Sequence, residues 1–144
     1  MFSLYEPAAS GPGMTFDLML ERIRYEGAYS TRERAEDVMR AVLAALGRQL
    51  TGDERAELAA CLPSQAALVL TTQIPDGEPL TGWGFVKDLA ARTGGTPATT
   101  RWDAGAVLAV VGRLVDPGLL DRVLARLPSG YALLFGRAEL VQAA

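Results

Sequence analysis

The sequence predicts an all-α protein built from a duplicated helical unit, two similar bundles of about four helices packed pseudo-symmetrically. Three observations predict it. The chain repeats itself: Ala41-Val42-Leu43-Ala44 returns as Ala106-Val107-Leu108-Ala109, Gly47-Arg48 as Gly112-Arg113, Leu62-Pro63-Ser64 as Leu127-Pro128-Ser129, and Ala67-Leu68 as Ala132-Leu133. Each second copy stands 65 residues after the first, a single register without gaps. Apolar residues recur at helical spacing within each copy. Capping residues and prolines mark where one helix stops and the next begins.

Residues 1–13 carry Pro7, Gly11, Pro12 and Gly13 without periodicity and read as a flexible N-terminal arm. The first unit spans 14–73. Its first helix, about 15–26, places Phe16, Leu20 and Ile23 on one face and ends at Gly27. Ser30-Thr31-Arg32-Glu33 opens the second helix as a capping box in which the Ser30 hydroxyl takes the Glu33 amide. Ala35, Val38, Met39, Val42, Leu46 and Leu50 form the stripe that this helix buries. Thr51-Gly52-Asp53-Glu54 reads as a second capping box, and the third helix runs to near Leu62. Pro63 cannot continue it, because proline lacks an amide donor and clashes with the preceding turn. Ser64 is placed to cap a fourth helix over 65–72. Leu68 to Thr72 has some strand propensity, but its repeat partner Leu133 to Arg137 has less, so helix is kept.

Residues 74–80, with Pro75, Gly77 and Pro79, are a linker, and the second unit covers 81–138. Its first helix starts near Thr81, carries Phe85, Val86 and Leu89, and ends at Gly94-Gly95. Thr96-Pro97 and Asp116-Pro117 are each a cap followed by proline at the first helical position, where a missing amide costs nothing. Between them Ala104, Val107, Leu108, Val111, Leu114 and Val115 form the stripe of the long helix. Tyr131, Leu134 and Phe135 belong to the last helix, and 139–144 is a C-terminal tail. Each unit is small enough that one shared core is expected.

Composition narrows the function. The chain has 144 residues, 49% of them apolar, and a net charge of −3. Residues 1–70 hold 7 Arg against 10 acids and residues 71–144 hold 7 Lys and Arg against 7, so neither half is basic. The arginines of 22–40 are interleaved with Glu21, Glu26, Glu33, Glu36 and Asp37, a solvated mixed-charge surface. Both patterns argue against nucleic acid, which asks for a face of one sign. No apolar run is long enough for a membrane span and no secretory leader is evident. One cysteine, Cys61, allows no internal disulfide and fits a reducing cytoplasm. Heavy use of Arg and Ala with a single Lys points to GC-rich bacterial coding.

The doubled plan, an amphipathic helix, an Ala-Val-Leu helix, a short helix ending Leu-Pro and a chain ending Leu-Phe, resembles the bacterial DUF2267 family of unknown function. Ala41-Val42-Leu43, Leu62-Pro63, Ala106-Val107-Leu108 and Leu127-Pro128 carry the resemblance, which runs from about Met14 to Gly136. It implies an all-helical duplicated fold and no assigned activity.

The search for chemistry is mostly negative. The chain has no histidine, which removes His-based acid–base and triad catalysis and most zinc sites. Asp53, Glu54 and Glu57, like Glu33, Glu36 and Asp37, sit in first helical turns, where negative charge suits the helix dipole. Gly94-Gly95-Thr96-Pro97 lacks the Lys and preceding strand of a phosphate loop. No cofactor, metal or catalytic residue is expected. Cys61 aligns with Arg126 and reads as a partly exposed passive thiol, since no basic cluster would activate it.

Gly47 and Gly112 each cost about 1 kcal/mol inside a helix relative to alanine, so something must offset that cost in both copies. Close helix approach at the pseudo-symmetric centre would do so, with Arg48 and Arg113 paired to acids of neighbouring helices. The alternative is an anion site shared by the two arginines. Trp102 aligns with Asp37 and lies off the apolar stripe, so it is either an exposed interface anchor or packed against the first unit. Trp83 aligns with Leu18 and reads as core or inter-unit contact, and after that as interface. The expected function is a non-enzymatic cytoplasmic module that binds a protein partner or itself. The alternative is a ligand- or nucleic-acid-binding regulator with a site between the units.

Overall fold

Helix ends leave four backbone amides without partners, and short polar side chains that can take them set where these helices begin. A computed structural model describes residues 14–137. The expected arm at 1–13 and tail at 139–144 lie outside the described residues. Among those described there are eight helices and no strand: α1 (Phe16–Gly27), α2 (Arg32–Gln49), α3 (Gly52–Ala60), α4 (Ser64–Thr71), α5 (Gly82–Thr93), α6 (Pro97–Leu114), α7 (Pro117–Arg126) and α8 (Tyr131–Leu134).

In the second half α6 and α7 start as the sequence predicts, whereas α8 follows Gly130 without a side-chain cap. Thr96 caps α6 by accepting from the Thr99 amide, Thr99 reaches back, and Pro97 follows. Asp116 accepts from the Leu119 amide ahead of Pro117. In the first half three caps differ from expectation. Thr31, not Ser30, caps α2, because its hydroxyl sits one residue before the helix and accepts from the Arg34 amide. Thr51 precedes α3 but makes no side-chain cap bond. Ser64 is the first residue of α4 and Pro63 stands at the cap; the Ser64 hydroxyl bonds the Gln65 side chain instead.

Every apolar residue predicted for α2, from Ala35 to Leu50, is buried, as are Phe85, Val86 and Leu89 of α5. One continuous core joins Met19, Leu20 and Ile23 of α1 to Val107, Leu108 and Val111 of α6 and to Tyr131 and Phe135 near the C-terminal end. The α6 helix is the pivot. It packs across both α1 and α2, α5 closes on α2 and α6, α4 covers α2, α8 covers α6, and α3 meets α7. Arg122 of α7 pairs with Glu54 and Glu57 of α3, at 3.6 and 2.6 Å, and Arg126 pairs with Glu54 at 3.3 Å. The acidic first turn of α3 therefore serves a contact between helices as well as its own dipole.

The two mid-helix glycines are explained by close approach, but not at the centre of the molecule. A Cβ on Gly47 would run into the Leu70 carbonyl oxygen, and one on Gly112 would lie 2.9 Å from the Phe135 carbonyl oxygen. Each glycine thus admits the C-terminal end of the last helix of its own half, α4 on α2 and α8 on α6. The close approach is thus to backbone carbonyls at the ends of α4 and α8, which corrects the expectation of an approach between the two long helices.

Candidate interaction face

The outer side of α6 runs Arg101, Trp102, Gly105, Ala106, Ala109, Gly112 and Arg113, one large ring followed by residues with almost no side chain. Helical spacing puts these on a common side, with Ala106 buried at its margin and Ala104, Val107, Leu108 and Val111 of the buried stripe turned away. The small residues leave a floor over which α8 on one flank and α1 on the other form the walls.

A depression of about 250 Å³ is lined there by Trp102, Gly105, Ala106, Leu133, Leu134, Arg101 and Glu26. Glu26 also borders a second depression with Arg22, Tyr25 and Arg113. Arg113 and Gly136 carry the surface on to a third, of about 320 Å³, with Ala109, Gly112, Leu120 and Phe135. Three large apolar residues stand open on this surface: Tyr25 is 83% exposed, Trp102 58% and Leu133 55%. Water-facing apolar area of this size is costly to leave uncovered.

Trp102 is divided by atom between solvent and the first half of the chain. Its ring is mostly exposed, while its indole Nε1–H donates to the Gly27 carbonyl at 2.9 Å, tying α6 to the end of α1. Close by, the Tyr29 hydroxyl donates to Asp103 Oδ1 at 2.5 Å, and Arg34 stands 3.8 Å from the other oxygen. Burial first, and then the Asp103 carboxylate, push the Tyr29 phenol well above the ordinary tyrosine range.

Arg113 pairs with Glu26 of α1 at 3.1 Å, the expected acid on a neighbouring helix. Arg48 departs from that expectation: it meets the Gln73 side-chain oxygen at 3.5 Å rather than a carboxylate. The chain after α4 turns back over the end of α2, with the Asp76 amide on the Arg48 carbonyl, so an amide rather than an acid reaches the guanidinium. The two arginines therefore have different neighbours, and no shared anion site is built from them. Trp83 is 57% exposed, with Lys87 over its ring at 5.7 Å. That corrects the core reading: it lies in the first turn of α5, where Phe85 and Val86, not position 83, point inward. Trp83, Gly47 and Arg48 line none of the three depressions, whereas Trp102, Gly112 and Arg113 do.

Tyr25 and Leu133 were not singled out in the sequence. A leucine on a helix reads as core by default, and nothing local in the sequence marks Leu133 as exposed.

A separate cleft of about 310 Å³ opens between α2 and the α5–α6 turn, lined by Arg34, Asp37, Thr93, Gly94, Gly95, Thr99, Thr100 and Asp103 over an apolar floor of Val38, Val42 and Leu89. Cys61 is half-buried, and burial, then Asp116 and Glu57, push its thiol up, away from the activated thiolate. Among the described residues no three His, Cys, Asp or Glu side chains gather as metal ligands would, and no helix is long and apolar enough to cross a membrane.

No curated protein matches the chain. Residues 16–134, from the first residue of α1 to the last of α8, match the model of a family described as "Uncharacterized conserved protein (DUF2267)", and the chain belongs to the DUF2267 family.

Proposed function

We propose that this protein is a non-enzymatic cytoplasmic bacterial module that holds another protein, or a second copy of itself, on the α6 face centred on Trp102. One observation carries the reading: Trp102 and Leu133, both exposed, line one depression with Gly105, Ala106 and Arg101, and the exposed Tyr25 lines a neighbouring one with Arg22 and Arg113. Aromatic and arginine anchors around a small-residue floor are the composition of interface hot spots. The absence of histidine and the pairing of Glu36, Asp88 and Glu57 with arginines support a non-catalytic reading. A single, unactivated thiol fits a reducing compartment.

The face sits on what we read as a duplicated unit, two bundles of four helices related by a pseudo-two-fold axis. Several features support that reading. Helices α1 to α4 have 12, 18, 9 and 8 residues and α5 to α8 have 12, 18, 10 and 4. The contacts Gly47 with Leu70 and Gly112 with Phe135 occupy equivalent places. Duplication makes the difference between the halves informative: Glu36-Asp37 stands where Arg101-Trp102 stands in the second half, so only one copy carries the aromatic face.

Affinity capture from the native host, run with Leu133→Glu and with Leu68→Glu, tests the proposal. Both variants add a charge at an exposed position on a short helix. Capture is expected to be lost with Leu133→Glu and kept with Leu68→Glu; equal capture by both would sink the reading.

The cleft between α2 and the α5–α6 turn favours a second reading, a small-ligand regulator. Asp37 and Asp103 against Arg34 suit a small polar ligand better than a polyanion such as nucleic acid. A metabolite that raises the melting temperature of the wild type but not of Arg34→Ala would support it; no such shift across a broad panel would count against it.

A further inference from the structure

The charge around the Trp102 face departs from that of the chain. The whole protein is net negative, at −3, yet the residues bordering this face include Arg22, Arg101 and Arg113 against one carboxylate, Glu26. Arg113 already holds Glu26 at 3.1 Å. Among the described residues, neither Arg22 nor Arg101 comes within 4.0 Å of a carboxylate, although nine other arginines do so. Guanidinium groups with no acid within 4.0 Å among the described residues, set around an apolar centre, are half of an electrostatic match.

We propose, resting on the interaction reading above, that the occupant of this face is an acidic amphipathic peptide segment. Its apolar side chains enter between Trp102 and Leu133 over the Gly105–Ala106 floor, and its carboxylates meet Arg101 and Arg22. Three features select this chemistry. The centre is apolar and the charge lies on the border, so anions must be spaced around a greasy middle rather than gathered at a point. Gly105 adds no side chain of its own, and the group lying over it is the movable guanidinium of Arg101. The Glu26 carboxylate inside the border and the net negative charge of the chain oppose an anionic membrane or a nucleic acid, which would bring a continuous sheet of negative charge against them.

A random-sequence peptide display against the full-length folded protein, counter-selected against Leu133→Glu, tests this. Enriched peptides are expected to be net negative and to carry at least one large apolar residue. A synthetic winner should lose about tenfold in affinity to Arg101→Glu and weaken in high salt. Far-UV circular dichroism establishes that both variants are folded, and Arg101→Glu, on the solvent side of α6, stands in if Leu133→Glu is not. Enriched peptides that need Leu133 but are neutral or basic would overturn the acidic partner while leaving the docking face standing. Failure to enrich any Leu133-dependent peptide would overturn both. Tighter binding of phosphatidylserine vesicles than of any peptide, lost in Leu133→Glu, would replace the peptide with a membrane surface.

Discussion

Trp102 shows how much a single residue can disclose and where that ends. Its place off the apolar stripe and opposite an aspartate in the other copy left two readings open, exposure or packing against the first unit, and the ring is 58% exposed. That the indole N–H would find the Gly27 carbonyl, 75 residues away in sequence, had no local signal. The same holds for the Tyr29–Asp103 bond, which joins the α1–α2 turn to α6. Tyr29 and Tyr131 give the pH prediction. Burial raises both phenols, with Asp103 adding to the effect at Tyr29. A raised acid group stabilises the fold in its neutral form. That contribution is complete below the ordinary tyrosine value of 10.0 and is lost as pH climbs above it. Ultraviolet titration of phenolate absorbance should show these two tyrosines held back until alkaline unfolding, in step with loss of helical circular dichroism. Their ionisation near the ordinary value with the helices intact would contradict the burial and the Asp103 bond.

At the scale of the helix, boundaries were legible where two signals coincide. A capping side chain followed by proline fixed α6 and α7, because proline pre-sets the backbone of the first turn. Where only hydroxyls were available, Ser30 and Thr31 competed and Thr31 won, and Thr51 started α3 without using its hydroxyl. Glycines separate propensity from packing. Gly105 and Gly112 lie two turns apart on α6. Propensity alone predicts that alanine at either stabilises the protein by about 1 kcal/mol. At Gly105 the new methyl meets only the movable end of Arg101, and the gain should appear. At Gly112 it meets the Phe135 carbonyl at 2.9 Å, so Gly112→Ala should instead cost about 1–3 kcal/mol. Urea denaturation of the two variants checks the opposite signs; a stabilised Gly112→Ala would mean that α8 does not press on α6.

At the scale of the molecule, the buried residues of both halves form one core, with α6 packed across α1 and α2. Half of the chain, residues 14–73, would expose Leu20, Ile23 and Val42 to water, so it should not fold alone. The intact protein should unfold in one transition, seen alike by tryptophan fluorescence and circular dichroism. Two separate transitions, or a folded fragment, would contradict the shared core. The repeat made the helical plan legible because it doubles every local signal. It could not reveal which surfaces stay open, since exposure depends on how helices distant in sequence lie against one another. Leu68 and Leu133 look alike as leucines of matched helices, and only the second borders a tryptophan, Trp102.

The central claim, that the protein works through this face, is tested most directly inside the host cell. A photo-crosslinking amino acid placed at Leu133, and separately at Leu68, reports what touches each site. A discrete crosslinked partner at position 133, absent at 68 and lost when Trp102→Ala is added, is the result expected here. No crosslink at 133, or the same crosslinks at both positions, would contradict it.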